Sequence, residues 1–215
     1  MKLVDAHTHS IPRDPGQTAL VNLLSGGPSS DSDEGVFFSC GIHPRDLGRF
    51  TSDELVETLC RIPCAAVGEC GLDPTVPTSL DQQEKLFRTQ ITLSEELNLP
   101  LVVHCVRLHY ELIRIRKEMA PRQPWLIHGF RGNAEVGKAL LGHGMILSLS
   151  PVWLMHLDRF PEWLPDDAFL LETDESGLPL RDLYIHTAGL RGETPEQLSE
   201  RLQKTFDRWV FGSLG

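Results

Sequence analysis

The ten residues CAAVGECGLD, at positions 64–73, form a continuous apolar run that is interrupted near its end by one glutamate, Glu69. A run without polar alternation is typical of a strand that is buried on both faces, as in a parallel sheet covered by helices. An ionised carboxylate among valine, glycine and cysteine side chains is costly unless a cation compensates its charge. The stretch therefore predicts a buried parallel strand with a cation close to Glu69.

Further apolar runs lie on either side of this stretch, at residues 2–9, 35–43, 99–105, 124–130, 144–150 and 168–174. The segments between and after them have apolar residues at helical spacing, at 51–62, 79–98, 108–120, 133–144 and 194–210. Two of these helices begin with a capping box, formed by Thr51 with Glu54 and by Thr194 with Gln197. Strands that alternate with helices predict a parallel sheet built from repeated βα units.

The fold that this pattern predicts is α/β, a TIM-type (β/α) barrel. Such a barrel has eight strands and usually takes about 250 residues, whereas this chain has 215 residues and seven candidate strands. The shortfall lies at residues 10–35, which offer at most a short helix at 17–25 and then a solvated loop rich in glycine, serine and aspartate. We therefore expect a distorted or seven-stranded barrel, with residues 1–215 forming a single domain.

Composition and charge exclude several classes of protein. The chain has 20 basic and 30 acidic residues, a net charge of −10, which argues against a broad basic surface that coats nucleic acid. No stretch is apolar enough to cross a bilayer, and the opening residues lack the apolar region of a secretory signal. Five cysteines without a CxxC pair indicate reduced thiols. We expect a cytoplasmic protein with no membrane contact and no obligate protein partner.

Side chains that bind metals recur where the predicted strands end. His7 and His9 lie two residues apart on the first strand, so they point to the same face. The carboxyl ends of parallel strands converge on one face of a barrel, where these side chains should meet: His7, His9, His43, Glu69, His104, His128 and Asp174. One histidine at a strand end is more often a hydrogen-bonded structural residue, but six strand ends of this kind outweigh that interpretation.

Imidazoles and carboxylates without thiolates suit Mg²⁺, Mn²⁺ or Zn²⁺, and the sequence leaves the choice among these ions open. Four histidines and two carboxylates exceed the usual four protein ligands of one zinc ion. They are enough for two ions about 3.5–4 Å apart that share one bridging carboxylate. The sequence thus predicts a site for two divalent ions, with six ligands: His7, His9, Glu69, His104, His128 and Asp174.

The motifs resemble those of the TatD family of metal-dependent hydrolases, within the amidohydrolase-like TIM-barrel superfamily. They are DAHTH (5–9), GIHP (41–44), VGECGLD (67–73), LPLVVHC (99–105), IHGFRG (127–132) and LLETD (170–174), in the family's order. The resemblance implies that one ion is bound by His7, His9, Glu69 and Asp174. It implies that the other ion is bound by Glu69, His104 and His128, with Glu69 bridging. Family members are divalent-metal nucleases, commonly exonucleolytic on DNA.

The predicted reaction is the cleavage of phosphodiester bonds, as in a deoxyribonuclease that acts on DNA ends or on short phosphodiesters. Two ions lower the pKa of a shared water, Asp174 can accept its proton, and Glu69 acts by holding the ions. Arg131 is a candidate for binding a phosphate, and His43 either contacts substrate or supports the ligands. Two alternatives stay open: a hydrolase of a small ester, amide or lactone on the same barrel, and a non-catalytic binding protein.

Overall fold

A computed structural model describes residues 1–12, 16–23 and 34–212 of the chain. Eight parallel strands in these residues form one sheet in sequence order, which confirms the predicted TIM-type barrel. The strands are β1 (Val4–Thr8), β2 (Thr18–Leu23), β3 (Val36–Cys40), β4 (Cys64–Leu72), β5 (Leu101–Cys105), β6 (Trp125–Phe130), β7 (Met145–Leu149) and β8 (Phe169–Leu171). Their carboxyl ends therefore share one end of the barrel.

Helices cover the outside of the sheet. They are α1 (Ser52–Arg61), α2 (Leu80–Leu97), α3 (His109–Met119), α4 (Ala134–Gly142), α5 (Pro151–Leu154), α6 (Leu180–Arg191) and α7 (Pro195–Phe211). Both predicted capping boxes are present, at the start of α1 and of α7. None of the helices in the described residues combines the length and the apolarity that a membrane span requires.

The prediction of a helix at 17–25 was wrong, and so was the seven-stranded alternative. Residues Thr18–Leu23 form β2, in which every side chain is buried, and β2 pairs with β1 and with β3. Alanine and leucine favour a helix on their own, but pairing between two buried strands overrides that weak preference. The predicted solvated loop falls mostly at residues 24–33, outside the described part of the chain.

The barrel closes between β1 and the residues that follow β8. The backbone N–H of Asp174 donates to the carbonyl oxygen of His7 at 3.0 Å, and Thr8 and Asp174 form an isolated parallel bridge. The Asp5 carboxylate accepts hydrogen bonds from the backbone N–H and the hydroxyl of Thr173, at 2.9 and 2.6 Å. These contacts join β1 to the residues that follow β8. The carboxyl ends of the first and last strands therefore lie next to each other.

Tyr184 on α6 forms hydrogen bonds with the backbone of β1 at Val4. Its fully buried hydroxyl accepts from the Val4 N–H at 3.1 Å and donates to the Val4 carbonyl oxygen at 3.0 Å. We expect Tyr184→Phe to lower the free energy of unfolding by about 2–3 kcal/mol, because both backbone groups lose this partner. Urea denaturation measures the change, with Tyr110→Phe as the control, since Tyr110 is exposed. An unchanged midpoint for Tyr184→Phe would show that the hydroxyl does not stabilise the barrel.

Candidate metal centre

The six residues predicted as metal ligands come together at the carboxyl end of the barrel. They lie at the ends of β1, β4, β5, β6 and β8: His7, His9, Glu69, His104, His128 and Asp174.

Local backbone geometry brings β4 close to β5 at this point. A Cβ on Gly71, which has a φ of +145°, would lie 2.0 Å from the carbonyl oxygen of His104. Only glycine fits there, so Gly71 allows Glu69 and His104 to become neighbours.

Glu69 lies at the centre of the cluster, and its two oxygens face different histidines. Oε2 is 3.6 Å from His7 Nε2 and 3.7 Å from His9 Nε2. Oε1 is 2.9 Å from His104 Nδ1 and 2.8 Å from His128 Nε2. The carboxylate therefore divides the cluster into two groups of nitrogen and oxygen atoms, and it belongs to both.

Asp174 belongs to the group that contains His7 and His9. Its Oδ1 lies 3.8 Å from His7 Nε2 and 3.5 Å from His9 Nε2. His7, His9 and Glu69 offer ligand atoms that all lie within 4.8 Å of one another. His43, Glu69 and His104 form a second set with the same spacing, and His7, His128 and Asp174 form a third, which links the two sides of Glu69.

Buried atoms without hydrogen-bond partners test whether a divalent ion fits these residues. Within the described chain, both ring nitrogens of His7 and Oε2 of Glu69 are buried and have no partner. Buried nitrogen and oxygen atoms are nearly always bonded, and the 3.6 Å between His7 Nε2 and Glu69 Oε2 is too long for a good hydrogen bond. Atoms that converge in this way without bonding fit divalent-metal ligands, and imidazole with carboxylate is a suitable donor set.

Residues 28–208 match the sequence model of the family described as TatD related DNase. The chain belongs to the TatD family. Among its relatives, the 3'-5' ssDNA/RNA exonuclease TatD of Escherichia coli (strain K12) is 28% identical over 177 residues, covering 77% of this chain and 67% of that protein. The protein of the same name from Pantoea sp. (strain At-9b) is 30% identical over 203 residues, covering 84% and 76%.

Two solved structures share the fold. The TatD homologue YJJV of Escherichia coli K12 has a TM-score of 0.78 at 19% identity, covering 97% of this chain and 98% of that one. A TatD family hydrolase from Entamoeba histolytica has a TM-score of 0.72 at 11% identity, covering 99% of both chains. Membership of the family confirms the predicted class of enzyme, a metal-dependent hydrolase that acts on phosphodiester bonds.

Both carboxylates of this TatD-family cluster stay ionised at neutral pH. Burial opposes ionisation of Glu69, but the charge of His128 and contacts with His104 and His7 hold its pKa well below the usual value. Burial also opposes ionisation of Asp174, but its contact with His9 and the charges of His128 and His7 leave its pKa lowered. Glu69 and Asp174 therefore provide two negative charges that can bind cations.

His43 is buried beside Glu69 and is neutral, because burial lowers its pKa to about 3. Its Nδ1 accepts a hydrogen bond from the backbone N–H of Arg45 at 3.0 Å, so the ring proton belongs on Nε2. That Nε2 lies 3.4 Å from Glu69 Oε1. Of the two roles considered for His43, this geometry favours support of Glu69 over contact with substrate.

Two carboxylates that the sequence analysis did not select lie behind the histidines of the TatD-family cluster. Asp73 Oδ2 is 3.2 Å from His104 Nε2. Glu172, which is fully buried, has Oε1 3.7 Å from His128 Nδ1. Histidines that bind metals usually have such a carboxylate near the ring nitrogen that faces away from the ion. Asp73 and Glu172 each end or interrupt an apolar run, the same signal that identified Glu69.

Asn22 on β2 is a third polar residue that sequence reasoning missed. Its Oδ1 accepts hydrogen bonds from the backbone N–H of Glu69 at 3.0 Å and from the hydroxyl of Ser39 at 3.3 Å. Asn22 on β2 thereby holds the backbone of β4 at Glu69. Its segment, TALVNL, suits a helix as well as a strand, so the sequence alone does not place Asn22 beside Glu69.

A cavity of about 550 Å³ opens beside His104 and His128. Arg131, the predicted phosphate-binding residue, lines it and is exposed to solvent. Asp174 lies at the edge of the same cavity. A molecule in this cavity would therefore reach the TatD-family cluster from the side of Arg131.

Proposed function

We propose that this chain is a nuclease that binds two divalent ions and hydrolyses phosphodiester bonds at the ends of single-stranded nucleic acid. The observation that carries the proposal is the arrangement of Glu69, whose two oxygens face separate sets of histidines. A carboxylate that bridges two ions has this arrangement. The names of the relatives, which describe exonucleases of single-stranded DNA and RNA, support the choice of substrate.

The proposed ligands follow from the two groups. His7, His9, Asp174 and Glu69 would hold one ion. His104, His128 and Glu69 would hold the other, and Asp73, 3.2 Å from His104 Nε2, would keep that imidazole in position. When bound, two such ions supply a water of lowered pKa and neutralise charge on the phosphate; Mg²⁺, Mn²⁺ and Zn²⁺ all suit the donor set.

The remaining steps belong to side chains of the protein. Asp174 is ionised and its side chain is 37% exposed, so its carboxylate can accept a proton from water. Arg131 binds a phosphate oxygen from the cavity. His43 lies beside Glu69, with its Nε2 3.4 Å from Oε1, and packs against that carboxylate. In this scheme no protein side chain acts as a nucleophile.

The cysteines take no part in the proposed chemistry. All five are free, and burial raises the pKa of Cys105, which follows His104, to about 12. That thiol stays protonated at neutral pH, so it is a poor nucleophile. Free thiols are typical of a reducing compartment, which supports our proposal that the protein works in the cytoplasm.

The net charge of −10 favours contact with few phosphates. We expect the logarithm of affinity for single-stranded DNA to fall with the logarithm of salt concentration with a slope of about 1–2, since each neutralised phosphate contributes about 0.7. Filter binding in Ca²⁺ at several salt concentrations measures the slope. A slope of about five or more, or efficient nicking of closed circular DNA, would show that a long basic surface exists and would contradict action at ends.

Removal and return of metal test the function itself. Protein stripped with a chelator should cleave neither single-stranded oligonucleotides nor bis(p-nitrophenyl) phosphate, and Mg²⁺, Mn²⁺ or Zn²⁺ added singly should restore cleavage. The matched control is the stripped protein with excess chelator present throughout. Metal-dependent hydrolysis of a small ester, amide or lactone, without cleavage of either phosphodiester, would favour the alternative substrate class and overturn our proposal.

A further inference from the structure

Helix α2, on the outside of the barrel, has two glutamines on the face that packs against β4. They are Gln83 and Gln90, seven residues apart, and both are buried along with Phe87 and Ile91 of the core. An amide in such a place is costly unless its donors and its acceptor are hydrogen-bonded, whereas an apolar side chain fills the same space without that cost. The partners of these two glutamines therefore indicate what they do.

Each glutamine binds both backbone groups of one residue just beyond the carboxyl end of a strand. Gln83 accepts from the N–H of Asp73 at 2.8 Å and donates to the carbonyl oxygens of Asp73 and Thr78, at 2.9 and 2.8 Å. Gln90 accepts from the N–H of Ile42 at 2.7 Å and donates to its carbonyl oxygen at 3.0 Å. Asp73 follows β4, and Ile42 follows β3 by two residues. The two amides thus hold the backbone close to the TatD-family cluster.

Asp73 connects Gln83 to this cluster. One oxygen of its carboxylate, Oδ2, lies 3.2 Å from His104 Nε2. The other, Oδ1, accepts from the backbone N–H and the hydroxyl of Thr75, at 2.8 and 2.6 Å. Gln83 therefore holds the main chain of Asp73 while Thr75 holds its carboxylate. The second ring nitrogen of His104, Nδ1, lies 2.9 Å from Glu69 Oε1, so a displacement of Asp73 would release the His104 ring at the cluster.

Gln90 reaches the cluster by a different route. Ile42, which it holds, precedes His43, and His43 Nε2 lies 3.4 Å from Glu69 Oε1. Glu69 belongs to both groups of ligand atoms, whereas His104 belongs to one. A change at Gln90 would therefore affect both groups alike, while a change at Gln83 would affect one of them.

We propose that Gln83 is a positioning residue of the metal centre, which orients His104 through Asp73 and thereby controls the affinity for one of the two ions. The inference rests on the proposed function, because it takes His104 as a ligand of one ion only. Loss of a carboxylate behind a metal-binding histidine typically costs about 10- to 100-fold in metal affinity. Gln83 holds such a carboxylate in place, so its loss should have an effect of the same order.

The test is a calorimetric titration of metal-stripped protein with Mn²⁺. In Gln83→Met the side chain keeps nearly its length and loses the amide, so the hydrogen bonds to Asp73 and Thr78 disappear. We expect the Kd of one ion to rise by about 10- to 100-fold, while the Kd of the other stays within about twofold of its wild-type value.

Gln90→Met is the matched control, since Gln90 is equally buried on the same face of α2 and binds backbone groups in the same way. Any effect on Glu69 is shared by both ions. The ratio of the two Kd values in Gln90→Met should therefore stay within about twofold of the wild-type ratio. The same change of this ratio in both variants would show a general loss of packing and would overturn the inference.

A double-mutant cycle shows whether Gln83 acts through Asp73. Asp73→Ala should weaken binding of the same ion by about 10- to 100-fold. Adding Gln83→Met to Asp73→Ala should then raise that Kd by less than about twofold, because the carboxylate that Gln83 positions is already gone. If the two single effects multiply in the double variant, Gln83 acts by another route and the inference fails.

Thermal unfolding identifies a purely structural role. Gln83→Met and Gln90→Met both leave buried backbone groups unpaired, so both should melt at a lower temperature than the wild type. A lower melting temperature of Gln83→Met without a change in either Kd would overturn the inference. So would failure of this variant to fold even in trimethylamine N-oxide, which favours the folded state.

The wild-type protein separates this inference from the proposed function. If it binds two Mn²⁺ ions and cleaves single-stranded oligonucleotides, while Gln83→Met binds both ions as tightly, only the role of Gln83 is refuted. If the wild type binds no ion or cleaves no phosphodiester, the proposed function fails and the inference fails with it.

Discussion

Glu69→Gln should remove the bound ions and lower metal-dependent cleavage by about 1,000-fold or more, because the buried positive charges lose their central compensating carboxylate. The carboxamide has nearly the shape of the carboxylate, so the barrel should fold. It has only one oxygen and no negative charge, however, so it cannot serve both ligand groups. The hydrogen bond from the backbone N–H of residue 69 to Asn22 Oδ1 does not involve the side chain, so the main chain should stay in place at this position.

Metal content and activity are measured on the same sample. Elemental analysis should give two ions per chain for the wild type and fewer than one for Glu69→Gln, while circular dichroism shows an unchanged fold. Glu57→Gln is the matched control, since Glu57 is an exposed carboxylate on α1. Two ions per chain in Glu69→Gln, or cleavage at the wild-type rate, would refute the bridging role.

Asp174→Asn should lower cleavage by about 100-fold or more while leaving one ion in place, because it removes a charged ligand and the proton acceptor from one group only. The substitution is well matched to the backbone. Asp174 has a φ of +49°, and asparagine tolerates the left-handed region as well as aspartate does. The loss would therefore report on the carboxylate and not on a displaced loop.

A calorimetric metal titration distinguishes the two groups. The Asp174→Asn variant should keep one tight site, formed by His104, His128 and Glu69, and weaken the other. Asp158→Asn, at an exposed bend, is the control and should bind and cleave like the wild type. If the Asp174→Asn variant retains both sites and full activity, Asp174 is neither ligand nor base.

The sequence allowed most of the barrel to be predicted because buried parallel strands leave a local signal. The strand at residues 64–73 is recognisable from its unbroken apolar character, and Glu69 is recognisable because a carboxylate is costly there. β2 has no such independent signal. Its sequence TALVNL also suits a helix, and only its pairing with β1 and β3, set by distant parts of the chain, decides its conformation.

The polar contacts around the cluster were harder to predict for a related reason. The proposed ligands occur at strand ends, where position alone suggests that they meet. Asp73 contacts His104, and Glu172 lies 3.7 Å from His128, at distances that depend on packing between strands. Helix α6 was also not predicted, although its buried residues recur at helical spacing: Leu180, Leu183, Tyr184, Thr187 and Ala188. Its start has no side-chain cap, so the usual local signal is missing.

The closure of the barrel has a consequence for how the chain folds during synthesis. The hydrogen bond between Asp174 and His7 joins residues that are distant in the sequence, and such contacts are slow to form. A growing chain exposes His7, His9 and Glu69 long before Asp174 is made. The seam between β1 and β8 must form before the cluster is complete. If Asp174 has the role proposed above, we expect the nascent chain to stay inactive until the last strand has docked.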